Sequence, residues 1–115
     1  MEKLDLGMLS GLRVADLTGA FAAYAGRLLA DHGATVVRIA TEDGDPAAGI
    51  GPFDEATGES FFDLFVNAGK RSVRVPTAKL RSVEFLSSVL DWADVVIEEL
   101  PTLGGMAAEE FAALV

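Results

Sequence analysis

Lys70, Arg71, Arg74, Lys79 and Arg81 place five of the nine basic residues within twelve consecutive positions, and the flanks on both sides are net acidic. Across all 115 residues, 18 Asp and Glu bring the formal charge to −9 and the pI to about 4.4. A local cationic stretch on an anionic background attracts a small polyanion while the whole molecule repels a large one. A phosphorylated cofactor fits that pattern; the competing reading is a solvated strand edge followed by an exposed helical turn. Binding to a nucleic-acid backbone or to an anionic membrane surface needs a basic protein and is disfavoured.

The remaining chemistry-bearing residues are sparse. Cysteine is absent, which removes disulfides, thiolate metal sites and Cys nucleophiles and suits a reducing cytoplasm. The single histidine, His32, stands before Gly33 at the expected end of a helix, where a capping or packing role suits it, and one His without Cys makes no zinc site. Glu98 and Glu99 are neighbours on a predicted strand, so their side chains point to opposite faces and do not share a proton. No serine has a G-x-S-x-G setting, and the glycines after LRVADL are Gly19 and Gly26, which fail the G-x-G-x-x-G spacing of a dinucleotide cradle. No catalytic residue and no metal ligand set is therefore expected within the chain itself.

The elements that must position the basic stretch follow from periodicity. LRVADL (12–17) is a short apolar run with a β-branched centre. After it Phe21, Ala25, Leu28, Leu29 and His32 make a helical stripe closed by Gly33. ATVVRIA (34–40) predicts a buried strand, and strand, helix, strand in this span is a βαβ unit with a parallel pair. Residues 41–58 hold the Gly, Pro and acids of a long loop, expected to be functional or mobile. ESFFDLFVNAG predicts a short helix, SVRV (72–75) a strand, 77–93 a second long helix with a wide apolar face, and DVVIEEL (94–100) a strand. GGMAAEEFAALV (104–115) starts a further helix. The order predicts one α/β domain over residues 1–115, an open, mainly parallel sheet with helices on both faces. The longest uncharged run, Leu17 to Gly26, is far short of the roughly 20 residues that span a bilayer. The start MEKLDLGMLSGL lacks the head of a signal peptide, so a soluble cytoplasmic protein is expected.

Three blocks in this order resemble the N-terminal part of class III CoA-transferases, the family of formyl-CoA transferase, carnitine CoA-transferase and α-methylacyl-CoA racemase. They are GLRVADLTGAFAAYAGRLLADHGATVVRIATEDGDPA, NAGKRSVRV (67–75) and ADVVIEELP (93–101). The resemblance runs from about Leu9 to Met106. It implies a Rossmann-like domain that binds coenzyme A, as a CoA thioester, at the carboxyl ends of the strands. On this basis Arg71, Val75, Thr77, Ala78 and Lys79 would hold the phosphorylated adenosine, Ala20 and Phe21 would face the pantetheine, and Glu99 and Leu100 match further contact positions. Ala22, Ala23 and Tyr24 stand where the family has A-G-P, Ala40 where it has an acid, and Glu99 where it has an amide. The family's catalytic aspartate lies farther along than Val115. The resemblance therefore implies a CoA-positioning domain that supplies no nucleophile, completed by more chain, a complementary subunit or a second copy in a homo-oligomer. The alternative is a non-catalytic interaction or structural domain whose CoA site has decayed; a dinucleotide-binding module is a weaker third reading.

Overall fold

Alternating apolar residues in short β-branched runs build four strands, and a computed structural model shows them in one parallel sheet. The structure describes residues 7–99 and Ala113. The strands are β1 (Arg13–Leu17), β2 (Thr35–Thr41), β3 (Arg71–Val75) and β4 (Val95–Glu98), in the order β3-β2-β1-β4. Ala15 pairs with Val37 on one side and Val96 on the other, so β1 is central. The chain steps outward from β1 to β2 to β3 and then returns to the far side of β1. With right-handed crossovers this reversal sends the first helices to one face and the later ones to the other.

Helices α1 (Ala23–Asp31) and α2 (Phe61–Val66) lie on the first face. There Val14, Val36 and Ala34 pack with Leu29, Ala30 and Ile97, and Ala23 packs with Ala47, Val66 and Phe62. On the second face Ala15, Leu17, Ile39 and Val75 bury against Leu80, Leu86 and Val89. Each fully buried Val, Leu or Ile contributes about 1.5–3 kcal/mol of transfer free energy, so these two layers carry the sheet. The α1 stripe ends as predicted, with Gly33 at φ 104°. His32 Nδ1 donates to the Leu28 carbonyl at 2.7 Å, the capping role expected of it.

The helix predicted over 77–93 is two. A single turn, α3 (Thr77–Leu80), is followed by α4 (Val83–Trp92). Ser82 breaks them because its extended backbone makes it an N-cap, with Oγ accepting from the Phe85 amide at 3.2 Å. The 41–58 segment carries local structure of its own. It contains a 3₁₀ turn, Pro46–Gly49, capped by Asp45, and Ser60 Oγ donates to the carbonyls of Ala47 and Ile50. The helix predicted from residue 104 lies outside the described residues, as does Leu100.

Candidate functional site

Two strand residues break the apolar pattern on the α1 face: Asp16 in RVADL and Arg38 in TVVRIAT, the first fully buried and the second 1% exposed. They are register partners on adjacent strands, so period-2 alternation puts both side chains on one face. Arg38 Nη1 donates to Asp16 Oδ1 at 3.0 Å, and its Nε and Nη2 form a two-pronged pair with Asp45 at 2.8 and 2.7 Å. Lys70 Nζ donates to Asp16 Oδ2 at 2.6 Å, to the Ala23 carbonyl at 2.7 Å and to Asn67 Oδ1 at 2.8 Å, which uses all three ammonium hydrogens. Asn67 Nδ2 in turn donates to Asp63 and Asp45. Two cations with buried side chains thus meet one buried and one partly buried carboxylate, and every strong donor is used, the condition under which buried charge is tolerated.

The electrostatics follow from this geometry. Burial opposes the charge on Arg38, but its bonds and attraction to Asp45 and Asp16 outweigh burial and hold its pKa above the ordinary value. Burial likewise works against the Asp45 carboxylate, yet the Arg38 bond and the Ala47 amide bring its pKa below the usual range. For Lys70, burial prevails over the bond to Asp16, helped by the like charge of Arg38, and its pKa falls.

This network secures the carboxyl edge of the sheet. Arg38 also donates to the carbonyls of Thr18 and Gly19, and Lys70 to that of Ala23, so cations hold the carbonyls of the β1–α1 loop. Its amides are held from the opposite side: Gly19 and Ala22 donate to Glu99 Oε1 at 3.0 and 2.9 Å. Helix α1 has no side-chain cap of its own. Beside this loop lies a pocket of about 120 Å³ walled by Leu17, Thr18, Ala40, Thr41, Gly44 and Leu80. No carboxylate, histidine or cysteine lines it. A larger apolar hollow of about 270 Å³ sits between α4 and the sheet, walled by Val37, Val73, Phe85 and Trp92.

The expected site residues fall in three groups. Ala20 is half-buried and Phe21 is 95% exposed at the tip of the β1–α1 loop, at the carboxyl edge. Thr77, Ala78 and Lys79 form the α3 turn at the same edge, with Leu80 of that turn in the pocket wall; Lys79 Nζ lies 5.8 Å from the Phe85 ring centre. Val75 reaches the edge only through its backbone, since its side chain is in the core and its carbonyl accepts from the Glu42 amide. Arg71 begins β3 and so stands at the opposite end of the strand, about 13 Å from Val75 at the usual rise per residue. Lys70, part of the predicted cationic patch, turns inward to Asp16, which leaves Arg71, Arg74, Lys79 and Arg81 exposed. Glu99 spends one carboxylate oxygen on backbone amides. The patch pointed to β3 and α3, but the Asp16, Arg38, Asp45 and Asn67 cluster was not singled out. Its signal was two opposite charges inside neighbouring apolar strands.

Among the described residues no group of three or more His, Cys, Asp or Glu gathers as a metal site, and no helix is long and apolar enough to cross a membrane. The profile of CoA-transferase family III matches residues 9–108. A succinyl-CoA:mesaconate CoA-transferase of Haloarcula hispanica is 39% identical over 98 residues, covering 81% of this chain and 24% of that protein. A succinate–glutarate CoA-transferase of Agrobacterium fabrum is 36% identical over 97 residues, covering 78% of this chain and 24% of its own length. Among solved structures, a CAIB/BAIF family protein from Brucella suis superposes with a TM-score of 0.72 at 29% identity, over 94% of this chain and 31% of that one. A hypothetical protein from Mycobacterium tuberculosis gives 0.72 at 29% identity, over 96% and 31%. The chain thus spans about a quarter of the length of the curated relatives it matches.

Proposed function

Because the chain belongs to CoA-transferase family III, we propose that residues 1–115 act as its CoA-binding, Rossmann-like domain, which positions a CoA thioester and leaves acyl transfer to residues elsewhere. The observation that carries this reading is the make-up of the carboxyl edge. A pocket without a carboxylate, histidine or cysteine is walled by Thr18, at the start of the loop that carries Ala20 and Phe21, and by Leu80, at the end of the α3 turn of Thr77, Ala78 and Lys79. The buried Asp16 and the partly buried Asp45 are tied to Arg38 and Lys70 and are not free to attack a thioester.

In this reading the exposed Lys79, with Arg81 and Arg74 nearby in the chain, supplies positive charge for the phosphates of CoA. Arg71, at the far end of β3, takes a lesser part. Phe21 offers an apolar ring to the pantetheine. In a complete family protein a carboxylate nucleophile would form the acyl anhydride and then the enzyme thioester, with CoA leaving and returning. That carboxylate is supplied by more chain or by a complementary subunit, in a cytoplasmic enzyme that also pairs as a homo-oligomer.

Calorimetric titration of the 115-residue protein with CoA, paired with an acyl-transfer assay, tests this. Heat of binding without turnover is expected. Turnover by the chain alone overturns the positioning role, and absence of heat at millimolar CoA favours the alternative, a non-catalytic interaction domain. One observation speaks for that alternative: Tyr24 and Phe65 stack at 5.4 Å on an exposed α1–α2 face that also carries Phe61 and Leu64.

A further inference from the structure

In an open parallel sheet the ligand crevice forms where the strand order reverses, at the carboxyl ends of the two strands that flank the reversal. Here those strands are β1 and β4. The crevice is bridged from within. Glu99, the residue after β4, places Oε1 against the amides of Gly19 and Ala22, 80 and 77 positions away in sequence. The Ala22 amide stands at the N-cap of α1 and the Gly19 amide three residues earlier in the loop, so this carboxylate satisfies one donor the helix leaves unpaired, where the helix dipole favours negative charge, and one of the loop itself. The same loop has its carbonyls held by Arg38 and Lys70. Opposite charges therefore grip opposite sides of one short backbone segment, and that segment carries Phe21.

We infer that Glu99 is a positioning residue for the β1–α1 loop: an internal carboxylate that fixes the backbone presenting Ala20 and Phe21 and occupies the amide donors an anionic ligand would otherwise meet there. It acts through Gly19 and Ala22, not by touching substrate. It follows that an anion reaching this edge does not find the Gly19 and Ala22 amides free.

Amide hydrogen exchange followed by NMR on the 115-residue protein tests the assignment, with Glu99→Ala and Glu99→Gln beside the parent chain. Gly19 and Ala22 are expected to be protected in the parent. In Glu99→Ala they should exchange about tenfold faster or more, the scale of a lost hydrogen bond to a charged acceptor. Glu99→Gln keeps an acceptor oxygen in the same place and should restore most of the protection. Leu28 and Leu29, inside α1, should not change. Inorganic phosphate should leave the Gly19 and Ala22 resonances of the parent unmoved. Equal exchange at the two amides in all three chains overturns the inference, and so does phosphate shifting them in the parent or loss of protection spreading through α1. If Glu99→Ala does not fold, Glu99→Met, which keeps the length of the side chain without an oxygen acceptor, carries the comparison: a several-fold rise confined to the two amides supports the assignment, and no change overturns it. No CoA thioester enters these measurements, so their outcome is separable from the CoA-binding reading.

Discussion

Gly26 lies against Asp16 so closely that a β-carbon on it would stand 2.6 Å from Asp16 Oδ2 and 2.9 Å from Lys70 Cε. Helix α1 can therefore approach the buried ion pairs only with glycine at this position. Alanine normally gains about 1 kcal/mol over glycine inside a helix. Here Asp16 and Lys70 are pinned by their other bonds and have little room to yield, and overpacking costs about 1–3 kcal/mol. Gly26→Ala is expected to lower the urea midpoint despite the better helix propensity; a raised midpoint would show that α1 can shift away.

Two adjacent cations should behave oppositely when removed. Lys70→Met strips Asp16 and the Ala23 carbonyl of a buried partner, which costs about 3–5 kcal/mol. Arg71→Ala, on the exposed edge, should change stability by no more than about 0.5 kcal/mol. Equilibrium denaturation of both variants checks the contrast, and equal losses would contradict it.

Acid should act through Asp45. Its pKa is held below the usual range in the folded protein, because the Arg38 bond and the Ala47 amide outweigh the opposing effect of burial. A carboxylate depressed in this way contributes its full stability above the unfolded value, about 4, and loses it as pH falls through the folded value. Stability referred to this group should stay level from neutral pH down to about 5 and then decline. Asp45→Asn should lower stability at neutral pH and flatten that acid decline, as read from the denaturation midpoint against pH.

Lys79 offers a test of the phosphate contact. Removing one exposed cation near a bound phosphate weakens binding modestly, about threefold to tenfold, and the loss shrinks as salt rises. Titration of Lys79→Ala with CoA at two ionic strengths measures both effects. An unchanged affinity would move the phosphate site off α3.

The strands and their parallel order were readable because β-branched runs alternate with helical stripes, and Gly33 marked the end of α1 correctly. The split at Ser82 was harder to read: the apolar pattern runs through 77–93 without interruption, and only the cap geometry shows that Ser82 starts a new helix. Lys70 was read as part of a basic patch because sequence spacing cannot tell an exposed lysine from one drawn inward by a carboxylate 54 positions away. Glu99 was expected at a CoA contact position, and its bonds to Gly19 and Ala22 join segments that no local pattern connects. Short-range periodicity sets elements; pairing of charges across them is a tertiary property.

The central strand depends on partners made at very different times. Its contact with β2 closes a short loop, whereas Arg13 and Asp94, which join β1 to the start of β4, are 81 residues apart. During synthesis β1 can therefore bind β2 early, yet its other edge, with Val14, Ala15 and Leu17, stays open until residues 95–98 emerge. An unpaired apolar edge invites pairing with other chains. A nascent chain interrupted before β4 would be prone to aggregate through the strand that becomes the middle of the finished sheet.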